Sequence, residues 1–381
     1  MTHIIILGAG FGGLAAAHEL RTNHPEIDVT VVDRRDHFFM GFAKLWDLAR
    51  IRPLAGGSRS LTALGDRGVR FVQSEIVAID PTTRTVELAD ETLAADGLLV
   101  ALGAAHAPTH LELLAGPGAH DLYDGRALPA IHDDLDAVTE GTVLVSILGG
   151  PFQCPPAPFE AVLLVDERLR QRGVRDQVDV AISTPQPMTL PVAGVDASRY
   201  IAGHLDERGI RLLSESAVVS VDGEARVAHF ADGTRQSFSV LLGVPASSPP
   251  PVITAAGLAG DSGFIEPDPR TLRTSFERVA AVGDCTHIPN AIGALPKAGV
   301  FAAAEGVVAA RNLVADLLGG DEARFDGHGY CFLELPGQLV AFVQGDFLAE
   351  PRPDVTLTEA DHEQFVRKQE YELERLDAWL G

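Results

Sequence analysis

Residues 4–20 read IIILGAGFGGLAAAHEL, and this stretch decides the fold of the first part of the chain. An apolar run typical of a buried strand meets Gly8, Gly10 and Gly13 in G-x-G-x-x-G spacing, and an alanine-rich helical pattern follows directly. The first glycine allows a tight turn, the second lets the backbone approach a pyrophosphate, and the third lets the helix pack on the strand. The start of the helix supplies unpaired N–H groups that favour phosphates.

An acidic residue strengthens this interpretation. A second β run ends in Asp33, 20 residues after Gly13, where the motif has a carboxylate that binds a ribose. An unrelated glycine turn is the alternative for the spacing alone. Strand, turn, helix and acid in register predict a dinucleotide site, whose members in this region are Gly8, Gly10, Phe11, Gly12, Gly13, Asp33 and Arg34.

Length and charge limit the other possibilities. A chain of 381 residues with 46% hydrophobic residues is expected to form two or more α/β domains. With 30 basic and 53 acidic residues the net charge is −23, which disfavours nucleic acid and anionic lipid as partners. The sequence enters a strand without a leader pattern and has no run of ~18 apolar residues. We therefore predict a cytoplasmic protein, with membrane contact at most peripheral and at the inner face.

The three cysteines, Cys154, Cys285 and Cys331, are too few for a disulfide framework. In a reducing compartment each is core filler, a ligand or a redox group. No CxxC spacing occurs, and a metal site is not predicted.

A second domain is predicted after residue 106. Residues 142–150 again lead a strand into a glycine turn, but Gln153 stands about where the third glycine belongs, and prolines crowd the loop. The next strand ends at Thr184-Pro185, with neither an acid for a ribose nor an arginine pair for a 2′-phosphate. We therefore predict a nucleotide-binding fold whose nicotinamide site has been lost.

The chain is expected to return to the first domain near residue 236. A short strand at 280–282 delivers Gly283 and Asp284 to a loop, where a carboxylate can accept hydrogen bonds from a polyol; a turn-capping aspartate is the alternative. After Lys297 a long alanine-rich helix runs to Leu318, and its N-terminus favours an anionic ring edge.

The tail is predicted to hold two strands and a charged helix over 359–380. This helix is expected to pack against the body of the protein or against a second subunit, and the second case would make the protein a homodimer. The apolar positions of the helix are Phe365, Leu373, Leu376, Trp379 and Leu380.

Three fingerprints in order carry a family resemblance: the glycine turn with Asp33, Leu99–Gly103, and Ala281–Asp284. Together they resemble the FAD flavoproteins of glutathione-reductase type. The resemblance implies an α/β fold of two Rossmann-like domains plus a small C-terminal β/α segment. The expected bounds are 1–106 and 236–320 for the FAD domain, 107–235 for the second Rossmann-like domain, and 321–381 for the C-terminal segment.

Within that group, Cys154–Glu160 (CPPAPFE), Leu295–Gly299 and the late Cys331 are similar to sulfide:quinone oxidoreductases and to the flavoprotein subunit of flavocytochrome c sulfide dehydrogenase. The resemblance implies FAD with its ADP on the glycine turn and its ribityl chain at Asp284. The implied cofactor residues beyond the first region are Ala101, Gly103, Gly283, Asp284 and Lys297. Residues 34–60 hold no cysteine for a covalent link, and non-covalent FAD is predicted.

The same resemblance implies that Cys154 and Cys331 meet at one flavin face. Sulfide would open a sulfur bridge between them and leave a persulfide, and two electrons would pass through FAD to a quinone or another acceptor. Glu160 is the candidate for moving a proton, with helix capping as its alternative role. Cys285 is expected to be structural.

Two other functions stay open at this point. The chain could be an NAD(P)H-dependent flavoprotein dehydrogenase or quinone reductase, or a flavin-binding protein without turnover. Two departures concern the acceptor: residues 104–150 lack the third cysteine of some quinone-reducing relatives, and the acidic tail is a poor membrane anchor.

Overall fold

The computed structural model describes residues 2–381. In chain order the strands are β1 His3–Leu7, β2 Asp28–Asp33, β3 His37–Phe38, β4 Arg59–Ser60, β5 Arg70–Gln73, β6 Ile76–Asp80, β7 Thr85–Leu88, β8 Thr92–Ala94, β9 Gly97–Val100, β10 Ala105–His106, β11 Ala119–Asp121, β12 Gly141–Ile147, β13 Val178–Ser183, β14 Arg211–Leu213, β15 Val218–Asp222, β16 Val227–Phe230, β17 Arg235–Ser237, β18 Val240–Val244, β19 Ser247–Ser248, β20 Val279–Ala281, β21 Pro289–Asn290, β22 Gly293–Ala294, β23 His328–Leu335, β24 Leu339–Asp346 and β25 Asp354–Leu357.

The α-helices are α1 Phe11–Asn23, α2 Ala43–Leu48, α3 Pro108–Leu113, α4 Leu128–Ala137, α5 Ala157–Gln171, α6 Gly194–Glu207, α7 Pro251–Ala255, α8 Gly299–Leu318 and α9 His362–Leu380.

Strand β1, the first part of the stretch at residues 4–20, is the central strand of a five-stranded parallel sheet with the order β20-β9-β1-β2-β5. Residues 4–7 are fully buried, because α1 and α8 cover one face of the sheet and a second apolar cluster with β6–β8 and α7 covers the other. The two helices touch through glycines: a Cβ on Gly306 would lie 2.2 Å from the carbonyl oxygen of Gly12. This close crossing fixes α8 beside the glycine turn.

A second parallel sheet has the order β11-β18-β12-β13-β14. Its helix α5 begins at Ala157, within the proline-rich loop, since Pro158 lies in the first turn, where no backbone donor is needed. Val240–Val244 differs from expectation: it pairs with β12 and stays in this sheet instead of returning to the first one. The chain crosses between the sheets at β10 and β19, which pair with each other. The predicted α/β fold with Rossmann-like parallel sheets is confirmed.

The tail folds onto the body as an antiparallel sheet, β23-β24-β25, and α9. The predicted apolar positions of α9 are buried except Leu373, which is 49% exposed. The buried face instead runs through Lys368 and Glu372, and Leu373 is turned about 100° from Glu372 around the helix axis. The expected packing of α9 against the body is confirmed. Within residues 2–381, no helix has both the length and the apolar character needed to cross a bilayer.

Candidate active site

The glycine turn between β1 and α1 is crowded on one side and open on the other. Gly8 has φ +104°, and a Cβ there would lie 2.2 Å from the carbonyl oxygen of Ala101. A Cβ on Gly13 would lie 1.9 Å from the carbonyl oxygen of Gly8, whereas a Cβ on Gly10 would meet nothing within 4 Å. Gly8 and Gly13 are therefore needed for packing, and Gly10 leaves room for a ligand at the start of α1.

Asp33 ends β2 beside this turn and is 7% exposed. Its Oδ2 accepts a hydrogen bond from the Ala9 amide at 2.7 Å. Arg35 donates to both carboxylate oxygens, from Nε to Oδ1 at 3.1 Å and from Nη2 to Oδ2 at 3.0 Å. Burial alone would raise the pKa of Asp33, but Arg35 and the Ala9 amide lower it below its ordinary value. The result is an ionised carboxylate at the position that the motif assigns to a ribose.

The neighbouring Arg34 does not join this group. Its guanidinium is 4.0 Å from the carboxylate of Glu75, and both side chains are exposed. The structure brings Arg35 to Asp33 instead, because the chain turns here and the Arg35 N–H also donates to Asp33 Oδ1 at 2.9 Å.

The other fingerprints reach the same edge of the sheet. Ala101 follows β9 and donates its N–H to the carbonyl oxygen of Leu7 at 2.8 Å. Gly103 has φ +65° with open space where a Cβ would be. Gly283 follows β20, and its N–H donates to Glu305 Oε2 at 2.6 Å. Because β9 pairs with β1 and β20 pairs with β9 in one parallel sheet, the three fingerprints line one carboxyl edge.

Asp284 is tied to the second Rossmann-like unit. Its Oδ2 accepts a hydrogen bond from Gln153 Nε2 at 2.7 Å, and burial raises the pKa of the carboxyl group. Lys297 Nζ donates to the carbonyl oxygens of Asp284 at 2.7 Å and Thr286 at 3.0 Å, and lies 3.7 Å from the centre of the Phe264 ring. The Lys297 ammonium therefore stabilises the Asp284 loop, while the residue lines the cleft next to Asp284.

Phe11 anchors the glycine turn to the helices around it. Its ring is 5.4 Å from that of Phe38 and 5.9 Å from that of Trp379, measured between centroids, in edge-to-face geometry. A Cβ on Gly299, the first residue of α8, would lie 2.8 Å from the same ring. Phe11 therefore acts as packing that fixes where α1 and α8 begin.

These features fit FAD. The start of α1 has neither a capping side chain nor an acidic residue in its first turn, and Gly10 keeps it accessible to a pyrophosphate. Asp33 can accept ribose hydroxyls, and Asp284 can accept those of a ribityl chain. Both carboxylates follow strands of one parallel sheet, at the edge where such folds bind dinucleotides.

The structure brings Cys154 and Cys331 together, although 177 residues separate them in sequence. The two thiols interact, and this interaction together with burial raises the pKa of Cys331 well above its usual value. Cys154 has φ +48°, a strained conformation for a residue with a Cβ. Its N–H donates to the Lys297 carbonyl oxygen at 2.7 Å, and Tyr123 Oη donates to its carbonyl oxygen at 3.3 Å. The thiol pair is thus held against the Lys297–Asp284 loop.

Glu160 lies next to this pair but does not cap its own helix. Its Oε1 accepts the N–H of Glu334 at 2.7 Å, and Lys368 Nζ is 3.4 Å away. The carboxyl group is 1% exposed, and burial raises its pKa. Its charge is one of the influences that raise the pKa of Cys331, so the two groups are close enough to affect each other's protonation.

Cys285 is fully buried, and its Sγ is 3.2 Å from the Val282 carbonyl oxygen. Burial raises the pKa of its thiol to about 12. Such a thiol is unreactive, in agreement with its expected structural role. Among residues 2–381, no group of His, Cys, Asp or Glu side chains is arranged to hold a metal ion.

Sequence reasoning missed four residues of this site. Arg35 could have been found from the tendency of an aspartate side chain to bond the backbone N–H two residues on. Gln153 was noted only as a departure from the glycine pattern, whereas it contacts Asp284. Glu334 and Lys368 left no local signal, because their partners lie in distant segments.

Comparisons with known proteins agree with this geometry. Residues 2–299 match the family described as pyridine nucleotide-disulphide oxidoreductase. The chain is 22% identical over 363 residues to the mitochondrial sulfide:quinone oxidoreductase of Mus musculus, a match that covers 91% of this chain and 79% of that protein. It is 23% identical over 343 residues to the sulfide-quinone reductase of Aquifex aeolicus (strain VF5), with 83% and 76% covered.

The X-ray structure of the sulfide:quinone oxidoreductase from Aquifex aeolicus matches with a TM-score of 0.88 at 21% identity, covering 98% of this chain and 90% of that one. The predicted resemblance to sulfide:quinone oxidoreductases is confirmed, and the structural likeness shows the shared fold. Because the family match spans most of the sequence, this chain belongs to the pyridine nucleotide-disulphide oxidoreductase family and is an FAD-dependent oxidoreductase.

Proposed function

We propose that the chain oxidises sulfide, or a related sulfane-sulfur or thiol substrate, through Cys154 and Cys331, and passes the electrons by way of FAD to a quinone. The observation that carries this proposal is the contact between two thiols from distant segments, next to the loop that holds Asp284. The names of the Mus musculus and Aquifex aeolicus relatives support sulfide as donor and quinone as acceptor.

The chemistry of the pair starts from its oxidised, bridged form. A hydrosulfide ion attacks one sulfur, the S–S bond between the cysteines breaks, and a new S–S bond forms in a cysteine persulfide. The sulfide sulfur loses two electrons and the bridge gains them, so the second cysteine leaves as a thiolate. A second hydrosulfide ion takes the outer sulfur of the persulfide away as HSS⁻, which leaves both cysteines reduced. FAD, when bound, supplies the two-electron acceptor that allows the pair to be oxidised again.

Glu160 is the proton carrier in this proposal. Breaking the bridge produces a thiolate that needs a proton, and forming the bridge again releases one. Glu160 is buried with its carboxyl group near Cys331, and burial raises its pKa, so it holds a proton more readily than an exposed carboxyl group. Tyr123 and the Lys297 carbonyl fix the backbone of Cys154, which orients its sulfur toward Cys331.

A histidine packs against the glycine turn of the second Rossmann-like unit. A Cβ on Gly149 would lie 2.6 Å from the His110 ring, whereas a Cβ on Gly150 would meet nothing within 4 Å. His110 is held there by the Ala246 N–H, which donates to its Nδ1 at 3.0 Å. These contacts favour sulfide over NAD(P)H as the electron donor. The cytoplasmic location and a homodimer remain predictions.

An anaerobic titration tests the proposal. Sulfide is expected to bleach the flavin absorbance of the purified protein, NADH is not, and a soluble quinone should restore the colour. Cys154→Ser and Cys331→Ser should each slow bleaching by on the order of 10³-fold or more, as expected when a nucleophile is removed. Cys285→Ala is the matched control and should reduce as fast as the parent. Rapid bleaching by NADH, or unchanged reduction in both serine variants, would overturn the proposal.

A further inference from the structure

A fully buried group of charges joins the last helix to the cysteine site. Lys368 Nζ from α9 is 2.7 Å from Glu334 Oε2 on β23 and 3.4 Å from Glu160 Oε1 on α5. Trp46 Nε1 donates to Glu334 Oε2 at 2.8 Å. None of the three charged side chains is more than 1% exposed. We call Lys368, Glu334 and Glu160 the charge cluster.

The charge cluster is one positive charge short. Two carboxylates share a single ammonium, and Glu334 Oε1 is buried without a hydrogen-bond partner. Burying an uncompensated charge costs several kcal/mol, so a proton bound to one carboxyl group relieves the cluster. Glu334 has the shorter contact with Lys368 and also accepts the Trp46 N–H, whereas Glu160 has only the longer contact with the ammonium. Glu160 is therefore the member that takes up and releases the proton.

We infer that Lys368 is a positioning residue which keeps Glu160 titratable next to Cys331, so that the C-terminal helix α9 completes the active site. This inference rests on the proposed function for its consequence in catalysis, but the titration of Glu160 can be measured without any substrate.

Other ionisable groups also face Glu160 and Cys331. Glu334 and Cys331 come from β23, Cys154 from the loop before α5, and Tyr123 from the segment after β11. Among the charged partners, Lys368 lowers the pKa of Glu160 and Glu334 raises it, with Lys368 the stronger influence. Conversely, burial lowers the pKa of Lys368, but Glu334 and Glu160 raise it above its ordinary value, so the ammonium stays charged.

The experiment follows the carbonyl stretch of protonated Glu160 by infrared difference spectroscopy of the FAD-loaded protein over a pH series. The band is assigned by its loss in Glu160→Gln. In Lys368→Met the pKa of Glu160 is expected to rise by about one unit or more, a tenfold change in proton affinity, since an opposite charge at this distance lowers a carboxyl pKa by 1–3 units. Lys368→Arg keeps the charge and should restore the parent titration.

A matched control lies one turn further along α9. Glu372 is also buried and pairs with Arg52 through contacts of 2.6 and 2.8 Å, so Glu372→Gln weakens the docking of the same helix away from Glu160. This variant should leave the titration unchanged. If Lys368→Met fails to fold, Lys368→Met/Glu334→Gln removes one charge of each sign and should still raise the pKa of Glu160, by less than the single change.

An unchanged or lowered pKa of Glu160 in the Lys368 variants, or an equal rise in Glu372→Gln, would overturn the inference. If sulfide does not reduce the flavin of the parent protein, the proposed function fails while the titration still decides the role of Lys368. If both hold, the pH profile of flavin reduction by sulfide should shift upward in Lys368→Met by the amount seen in the titration.

Discussion

Two glycines of the turn, Gly10 and Gly13, should separate folding from cofactor binding. In Gly13→Ala the new methyl group would lie 1.9 Å from the Gly8 carbonyl oxygen and 3.1 Å from Ile6 Cγ2, against an ordinary separation of about 3.5 Å. Helix α1 must move off β1 to accommodate it. Overpacking of this kind costs about 1–3 kcal/mol, and we expect the upper end because the closest atom belongs to the backbone.

Gly10→Ala should behave differently. Its Cβ meets no protein atom within 4 Å, and its backbone lies in the extended region that alanine adopts readily. Replacing an N-cap glycine by alanine should cost the cofactor-free protein roughly 0.5–1 kcal/mol. The methyl group occupies the space where the pyrophosphate approaches, so FAD affinity should fall by at least about tenfold, equivalent to about 1.4 kcal/mol.

The assay pairs urea unfolding of the cofactor-free variants with FAD titration followed by flavin fluorescence. The expected pattern is a large loss of stability in Gly13→Ala and a selective loss of FAD affinity in Gly10→Ala. Equal stability losses in the two variants would refute the packing argument. Parent-like FAD affinity in Gly10→Ala would refute the assignment of the turn as the pyrophosphate site.

Three further outcomes are expected. Iodoacetamide should leave Cys285 of the native protein unlabelled, as shown by mass spectrometry of its peptides, because this thiol is fully buried with a pKa of about 12; a labelled Cys285 would contradict this. Burial raises the pKa of Glu305 from 4.5 to about 7, so the contribution of this carboxyl group to stability is full below pH 4.5 and is lost as pH rises through 7. In urea unfolding the parent should therefore lose about 3 kcal/mol of stability over that range relative to Glu305→Gln. Parallel stability curves for the two proteins would refute the burial argument. Trp379→Ala should cost about 3–5 kcal/mol of unfolding free energy, because this side chain is buried. Leu373→Ala, on the exposed face of the same helix, should cost less than about 0.5 kcal/mol. Similar losses in the two variants would mean that α9 is not docked as described.

The parts of this molecule that follow from local sequence were predictable. The strand, glycine turn and helix around Gly8–Gly13 lie within 20 residues, and each step has its own steric reason. Asp33 sits at a fixed distance from that motif, and α8 ends at the predicted residue. In each case the neighbours that determine the structure are close in sequence.

The parts that depend on long-range contacts were not predictable in this way. The strand Val240–Val244 is apolar enough for either parallel sheet, and only its pairing with β12 decides which one it joins. Leu373 matches an apolar helix pattern, but the buried face of α9 is set by the partners of Lys368 and Glu372. The meeting of Cys154 with Cys331 was expected only from family resemblance.

The distances along the chain within the charge cluster also bear on how the protein is made. Glu160 meets Glu334 across 174 residues and Lys368 across 208, and the second sulfur arrives only with β23. Because domains fold from the N-terminus as the ribosome delivers them, the residues of the glycine turn are in place long before Cys331 and Lys368 have been added. Under the proposed function, a polypeptide truncated before β23 should therefore not react with sulfide, and one truncated between β23 and α9 should lack the Lys368 charge beside Glu160.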